Sequence, residues 1–331
     1  MYWMSKTNNF FVKYQESRFV EEKARVRLIE QLRHGYSNEA RDLAHRMSIC
    51  GDRRETSDNS IYCRQPACPR CKRAYARNQA RAIQDWMADA QRSDLSLVTV
   101  LLGVADRAGD VPRMWKKGRE ALRNRVKAMR DADDRWDNVR LVGWLEADPY
   151  EAEQVELMQP RMRSYLEAKG PILFGNEVGW IVHVHLIVHH PRIDWQQVRD
   201  ALQRQWPDVH AVDVQPFDQP KYDGQTTDIA LYAITMYALK STVGRTLYGE
   251  QDKAVDVYPS SWMADLHTVL YSHGSGYKSW RVRMDAAGSR STDMHDGDVD
   301  HHLLADHACN HAVPSCNSHD DEMDDLLASM W

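Results

Sequence analysis

Two histidines separated by one residue, His183 and His185, lie in the apolar run WIVHVHLIVHH at residues 180–190. The β-branched, apolar composition of this run predicts a strand, in which alternate side chains share one face. The two imidazoles would then lie about 6.6 Å apart along the chain, on the same side of a sheet. Two imidazoles so placed can bind one cation. The alternative is a pair of satisfied histidines on an exposed sheet face.

A third candidate ligand is Glu146, near the end of the preceding predicted strand, VRLVGWLEA at residues 139–147. An antiparallel sheet would place this strand beside the histidine strand. Two nitrogens and one carboxylate oxygen leave coordination positions open for a phosphate oxygen, and this mixed donor set favours Mg²⁺ or Mn²⁺, although imidazole also suits zinc. Asp148, two residues on, is the competing carboxylate. The alternative for Glu146 is an exposed carboxylate at a strand end.

A tyrosine and a lysine follow in the predicted helix DIALYAITMYALK at residues 228–240. Tyr237 and Lys240 are three residues apart, about 60° around a helix, so both can face one site. A tyrosine with a pKa near 10 is protonated at neutral pH, so attack by its oxygen needs help from a base or a cation. Tyr232, about 140° away, is interpreted as structural. An ordinary amphipathic tyrosine is the alternative for Tyr237.

Four cysteines upstream, Cys50, Cys63, Cys68 and Cys71, have the spacing C-x12-C-x4-C-x2-C. Four thiolates at such spacing predict a closed, structural Zn²⁺ site that folds an otherwise core-poor segment. Free thiols and redox chemistry are the alternatives. Cys50 is the least certain ligand, and His45 is its substitute.

The predicted helix at residues 113–130 has one apolar side and basic residues over the rest of its surface. Such a helix suits contacts to nucleic-acid phosphates, which position a strand without specifying its sequence. The candidate contacts are Arg113, Lys116, Lys117, Arg119, Arg123, Arg125 and Lys127. Trp115 and Trp144 are candidates for stacking on a base, with buried packing as the alternative.

Charge divides the chain unequally, although its formal net charge is only −5. Residues 1–150 carry 29 Lys and Arg against 21 Asp and Glu, whereas residues 285–331 carry 1 against 11. The acidic, Gly- and Ser-rich end is typical of a disordered tail. We therefore predict a helical N-terminal region with the cysteine cluster at 1–92, a central domain at 93–284 and a tail at 285–331. No apolar stretch approaches the length of a membrane helix, so we expect a cytoplasmic protein.

The order of the predicted elements is strand, helix, strand, strand, helix, strand, helix. The strands lie at 95–102, 139–147, 180–190 and 210–217, and the helices at 113–130, 195–206 and 228–240. This order predicts an α+β fold with a ferredoxin-like antiparallel sheet and helices on one face.

The order of motifs resembles that of the HUH endonuclease superfamily, in the type that initiates rolling-circle plasmid replication. The resemblance covers roughly residues 45–285. It is carried by a cluster of the C-P-x-C kind, an early apolar strand, an acidic strand, the strand HVHLIV and a helix with YALK. The connection between Pro149 and Trp180 is longer than this resemblance leads us to expect.

The resemblance implies a metal-dependent enzyme that nicks single-stranded or hairpin origin DNA. Tyr237 would attack the scissile phosphate, leaving a 5′-phosphotyrosine and a free 3′-OH, and the strand would later be rejoined. No phosphate loop of a helicase occurs in the sequence, so a host helicase and a polymerase would be partners. The alternatives are an HUH transposase or mobilisation relaxase and, from another class, a non-catalytic zinc-containing DNA-binding regulator.

Overall fold

The structure is a computed structural model that describes residues 20–54, 57–156, 158, 160–170, 173, 177–219, 226–239, 244–248, 253–274 and 276–288. Helices and strands alternate irregularly along the chain. In order they are α1 (20–33), α2 (Asn38–Ser48), β1 (Arg53–Arg54), β2 (Ser57–Ser60), α3 (Pro69–Trp86), β3 (Leu95–Ala105), α4 (Val111–Ala132), β4 (Arg140–Tyr150), α5 (Ala152–Val155), α6 (Pro160–Lys169), β5 (Gly179–His189), α7 (Trp195–Gln203), β6 (Val212–Pro216), α8 (Thr227–Ala238), β7 (Gly244–Tyr248), β8 (Lys253–Val257), α9 (Ser260–Ser272), α10 (Tyr277–Trp280) and β9 (Arg281–Met284).

The centre of the fold is a five-stranded antiparallel sheet in the order β6-β3-β5-β4-β9. The α+β class and the antiparallel sheet predicted from the sequence are confirmed. β5 is the middle strand, paired along its full length with β4 and from Trp180 to His189 with β3. The pairing with β3 shifts register between Leu101 and Gly103, where Gly103 takes a φ of 148°.

Every residue of β5 is buried, because the strand is covered on both faces. On one face Val182, Val184 and Leu186 join the larger core cluster, which includes the apolar side of α4. On the other face Ile187 packs into a second cluster beneath α3 and α8, together with Trp144 of β4. A strand with apolar side chains on both faces is stable only when other parts of the chain cover each face.

The expectation of helices on one face is therefore wrong: α4 covers one face of the sheet, and α3 and α8 cover the other. The physical reason is that apolar side chains occupy alternating positions on both sides, so each face has surface to bury. The apolar positions of the second face include Leu97, Val142, Trp144 and Ile187.

The cysteine-containing N-terminal region packs against the sheet domain. α3 packs along α8, and residues of α1 and α2 belong to the same core cluster as β3, β4 and β5. Both clusters thus contain residues from each side of the predicted boundary at residues 92 and 93. Residues 1–19 and most of the acidic tail, 289–331, lie outside the described part of the chain.

Helix ends follow local capping chemistry. At the start of α7, the Asp194 carboxylate accepts a hydrogen bond from the Gln196 backbone N–H at 2.7 Å. α8 begins one residue earlier than the sequence indicates, and its cap is Thr226, whose hydroxyl accepts from the Ile229 backbone N–H. Between the described residues 20 and 288, no helix is long and apolar enough to cross a membrane.

Several elements were not predicted from the sequence. The long connection between β4 and β5 contains the short helices α5 and α6. The chain beyond α8 adds the β7–β8 pair, α9, α10 and the edge strand β9. β9 completes the sheet beside β4, where Val282 opposes Gly143.

Candidate metal centre and its surroundings

The pairing of β4 with β5 brings the three predicted metal ligands together. Glu146 lies directly opposite His183, and Trp144 opposite His185. Because side chains alternate along each strand, Glu146, His183 and His185 all project from the same face of the sheet. The predicted arrangement of an acidic strand beside the histidine strand is present.

The carboxylate lies between the two imidazoles. Oε2 of Glu146 is 3.2 Å from Nε2 of His183 and 3.2 Å from Nε2 of His185. One donor atom from each residue lies within 4.8 Å of the others, and all three side chains are buried, with exposures of 4–6 %. Such a cluster of hard oxygen and imidazole nitrogen could hold a metal ion.

The far side of each imidazole also meets a polar group. The Thr99 hydroxyl lies 2.9 Å from Nδ1 of His185, and the Ile181 carbonyl lies 3.4 Å from Nδ1 of His183. A partner at Nδ1 orients the ring and leaves Nε2 directed at the cluster. Sequence reasoning missed Thr99. The signal was that Thr99 is one of two polar residues, with Ser96, in the otherwise apolar run LSLVTVLL.

Asp148 takes a more peripheral position than Glu146. Its Oδ2 atom is 3.9 Å from Nε2 of His183, and its side chain is 30 % exposed, against 5 % for that of Glu146. Glu146 is therefore the inner carboxylate of the site, and Asp148 lies at its rim.

α8 places Tyr237 beside the histidines. Its ring centre lies 5.4 Å from that of His185, with the two ring planes inclined at 58°. Tyr237 is half-buried, whereas Tyr232 is 3 % exposed. The difference follows from the helical rotation that separates the two side chains. Lys240, the predicted partner of Tyr237, lies outside the described residues.

The four predicted cysteines converge on one buried point. The Sγ atom of Cys71 lies 3.5 Å from that of Cys50 and 3.5 Å from that of Cys63, and the Sγ atoms of Cys68 and Cys50 are 3.6 Å apart. The four thiols are free and buried, and they could together hold a metal ion. His45, the alternative ligand, is exposed on α2, whereas Cys50 is fully buried.

Hydrogen bonds from neighbouring residues hold the segments that carry these thiols in place. The Arg64 backbone N–H donates to Sγ of Cys71 at 3.3 Å, and Arg64 takes a left-handed φ of 56°. Nη1 of Arg70 donates to the Cys50 carbonyl oxygen at 2.7 Å. Backbone N–H groups directed at sulfur stabilise thiolates, as a metal site requires.

Three aromatic side chains that contact one another in turn connect the four-cysteine site to the sheet. The Tyr277 hydroxyl donates to the Gln65 carbonyl at 3.2 Å, and its ring stacks on that of Tyr75 at 4.0 Å. Nε1 of Trp144 donates to the Tyr75 hydroxyl at 3.4 Å. Trp144 lies on β4 directly opposite His185 of β5. The contacts of the four-cysteine site therefore reach the strand next to the histidine strand.

The predicted nucleic-acid helix, α4, lies on the opposite face of the sheet from Glu146 and the histidines. Its basic side chains therefore do not line the candidate metal centre. Arg113, Lys116, Lys117, Arg123 and Lys127 are exposed, whereas Arg119 and Arg125 are half-buried. Nε of Arg125 donates to the Ala201 carbonyl at 2.7 Å, so this residue ties α4 to α7.

The two tryptophans considered for base stacking are both buried. Trp115 is 7 % exposed and packs at an angle against Trp280, and Trp144 is 2 % exposed. Packing is thus the role that their surroundings support.

We compared the chain with protein-family models, with curated proteins and with solved structures, and none of them matches it.

Proposed function

We propose that this protein is a metal-dependent DNA-nicking enzyme of the HUH endonuclease superfamily, acting as a rolling-circle replication initiator. The observation that carries the proposal is the meeting of Glu146, His183, His185 and Tyr237 on one face of the sheet. A metal site beside a half-buried tyrosine is the combination that phosphoryl transfer to a tyrosine requires.

The fold supports this proposal. Both histidines lie on the middle strand of a five-stranded antiparallel sheet, with an acidic residue on the neighbouring strand. The tyrosine lies on a helix that packs over the same face. The order of the motifs in the sequence corresponds to their convergence in space, which is the arrangement expected of an HUH fold.

The three ligands suit a small divalent cation. Ligand atoms about 2.1 Å from a metal lie about 3.0–3.4 Å from one another in octahedral or tetrahedral sites. The distances of 3.2 Å from Oε2 of Glu146 to the two Nε2 atoms fall in this range. We propose Mg²⁺ or Mn²⁺, which when bound would polarise the scissile phosphate and stabilise its added negative charge.

In the proposed step, the Tyr237 phenolic oxygen forms a bond to the phosphorus and gives up its proton to solvent. The bond from phosphorus to the 3′ oxygen breaks, and that oxygen takes up a proton. The products are a 5′-phosphotyrosine and a 3′-OH that primes synthesis by a polymerase. Lys240, three residues after Tyr237, is proposed to stabilise the phenolate.

We assign the four-cysteine site to Zn²⁺ with a structural role. Tetrahedral ligation at about 2.3 Å places sulfur atoms about 3.8 Å apart. The Sγ separations of 3.5–3.6 Å are close to this value. The four thiolates would complete the coordination shell and leave no position for a substrate.

The substrate is proposed to be single-stranded or hairpin origin DNA, opened by a host helicase. The exposed basic residues of α4 would contact phosphates of the DNA on either side of the cleaved bond, on the face of the sheet opposite the metal centre. A DNA molecule touching both α4 and the metal centre must pass around an edge of the sheet, since the two lie on opposite faces.

Covalent capture of DNA tests the proposal. Single-stranded and hairpin oligonucleotides from the replicon, labelled at the 3′ end, are incubated with the protein and Mn²⁺ and separated under denaturing conditions. The label should migrate with the protein, because a 5′-phosphotyrosine retains the downstream fragment. Absence of an adduct with every origin strand, in Mg²⁺ and in Mn²⁺, would contradict the proposal.

A further inference from the structure

The side of α4 that faces away from the sheet carries a row of cations. Lys116, Lys117, Arg123 and Lys127 are exposed, and none of them forms an ion pair with a residue that the structure describes. Lys116, Arg123 and Lys127 are spaced by seven and four residues, so they share one side of the helix. Like charges held side by side repel one another, and an anion lying along the row would offset this repulsion.

The positive surface continues from α4 onto the end of α7. Burial, followed by the positive charge of Arg204, lowers the pKa of the Arg125 guanidinium, so these two cations lie near each other. Arg204 is exposed and directly follows α7. The exposed acidic residues of α4 are Glu120 and Asp131, so cations remain in excess on the combined surface.

The described part of the chain ends beside the same helix. Nη2 of Arg130, in the last turn of α4, donates to the Asp285 carbonyl oxygen at 2.6 Å. Two residues further on, the Ala287 backbone N–H donates to the Asp137 carbonyl oxygen at 2.7 Å. These bonds fix the point from which residues 289–331 continue, at the C-terminal end of the row of cations.

The segment that continues from this point has the opposite charge. Residues 289–331 contain ten acidic residues and one basic residue. Five of the acidic residues lie at 293–306 and five at 320–325. A covalent link raises the effective concentration of two binding groups to the order of millimolar. The chain's own acidic segment is therefore favoured over an acidic partner from solution as the occupant of this face.

The length of the chain allows the contact. Lys116 lies about 21 Å along the helix axis from Arg130, at about 1.5 Å per residue. The twelve residues from Gly288 to Asp300 can extend to about 40 Å, at about 3.3 Å per residue. The first acidic group can therefore lie along the whole row of cations.

We propose that the acidic segment 289–331 binds along the outer face of α4 and occupies the cations that would otherwise contact DNA phosphates. The docking follows from charge and position, whereas its effect on DNA rests on the proposed function. A DNA strand must displace the acidic segment before it can bind α4, so the segment weakens non-specific binding in particular, which depends on phosphate contacts alone.

Carbodiimide cross-linking of the full-length protein tests the docking without DNA. The reagent condenses a lysine amine and a touching carboxylate into an amide, and itself takes up the water that is released. Peptide mapping at low salt should find Lys116, Lys117 or Lys127 joined to the acidic segment of the same chain. Lys23, exposed on α1, is the control and should be joined rarely. Salt at about 1 M, where the Debye length is about 3 Å, should abolish the cross-links to α4.

Two results of this experiment would overturn the inference. The first is a frequency of cross-links to Lys23 that equals or exceeds the frequency at α4. The second is cross-linking between two chains in place of cross-linking within one, because the acidic segment would then bind a second copy of the protein.

A neutral variant of the full chain tests the competition with DNA. Every aspartate of residues 289–331 is replaced by asparagine and the glutamate by glutamine, and binding of a single strand of unrelated sequence is measured by fluorescence anisotropy. If the segment covers α4 for about nine-tenths of the time, the neutral variant should bind about tenfold more tightly at low salt. The difference should vanish at about 1 M salt.

Lysine substitutions separate docking on α4 from a general effect of net charge. Lys116→Ala with Lys117→Ala should shrink the difference between the parent and neutral segments, because the docking surface is lost. Lys23→Ala with Arg33→Ala removes the same charge from exposed positions of α1 and should leave the difference unchanged. Equal shrinkage in the two pairs would overturn the inference.

The two experiments also separate this inference from the proposed function. Cross-links on α4 together with equal DNA affinity of the parent and the neutral variant would keep the docking and reject α4 as a DNA-binding surface. Tighter DNA binding by the neutral variant, without a covalent adduct on any origin strand, would keep the docking and reject nicking.

Discussion

The ring of Tyr237 lies 5.4 Å from the ring of His185, although 51 residues of sequence separate them. α8 and β5 thus bring a potential nucleophile and a potential metal ligand into one site. The contact distinguishes Tyr237 from the other tyrosine of the helix, Tyr232, whose side chain is buried.

If the proposed function is correct, Tyr237→Phe should retain DNA binding and lose both nicking and adduct formation, because only the proposed nucleophilic oxygen is removed. Tyr232→Phe is the matched control and should form the adduct at a rate within a few-fold of the parent. Mass spectrometry of the trapped adduct locates the modified residue. An adduct mapped to Tyr232, or to a residue outside α8, would falsify the assignment.

The Thr99 hydroxyl, 2.9 Å from Nδ1 of His185, should tune metal affinity without being a ligand. Thr99→Val keeps the shape of the side chain and removes this partner, so Mn²⁺ should bind about tenfold more weakly. Glu146→Gln and His183→Ala, which remove ligands, should lose far more. Calorimetric titration with Mn²⁺ checks both expectations, and an affinity unchanged in Thr99→Val would rule out the orienting role.

The four-cysteine site should contribute stability and no chemistry. Cys68→Ser with Cys71→Ser should lose bound zinc and lower the melting temperature, since a structural metal stabilises only the folded chain. Elemental analysis and thermal unfolding measure these effects. An unchanged metal content and melting temperature would contradict the structural assignment. His45→Ala, altering an exposed side chain, should leave both unchanged.

Stability should fall as the pH decreases from about 6.5 to about 4. Burial, followed by the charge of Arg140, lowers the pKa of His189 from 6.5 to about 4. The unfolded chain binds a proton in this window that the folded protein does not, which favours unfolding. His189→Asn, whose amide oxygen can still accept from Arg140, should reduce this dependence. Urea unfolding at about pH 7.5 and about pH 5 tests it, and identical pH dependence in both proteins would exclude His189 as a source.

The exposed basic surface of α4 should bind DNA independently of the metal centre. Replacing Lys116 and Lys117 by alanine should weaken binding of all single strands alike, and should reduce the salt slope by about 0.7 for each lost phosphate contact. Mn²⁺ affinity should stay constant, because α4 covers the other face of the sheet. Asn124→Ala on the same helix is the uncharged control. Unaltered DNA affinity at low salt would remove α4 from the binding surface.

Much of the candidate site follows from strand periodicity. The alternation around His183 and His185 places both on one face, and the acidic residue of the preceding strand is placed correctly beside them. The sequence did not determine the register, because a long connection containing α5 and α6 separates the two strands. Without a tight turn, nothing local specifies which residue opposes His183.

The positions of helices relative to the sheet were harder to predict. The pattern of α4 identifies its apolar side, but not which face of the sheet that side covers. β9 was not predicted because its sequence, RVRM, is short and half of its residues are charged, as is common for an edge strand. Thr99 was missed because its significance depends on its pairing opposite His185 in the neighbouring strand.

The complete burial of β5 makes the histidine strand the least mobile part of the candidate site. Its backbone amides lie between two neighbouring strands, and a core cluster covers each face of the strand. Their hydrogen exchange should therefore require nearly complete unfolding of the protein. Tyr237 instead occupies the last turn of α8, where helix ends fray at far lower free-energy cost. The histidines thus occupy a rigid strand, whereas the proposed nucleophile, Tyr237, can change position when only the end of one helix moves.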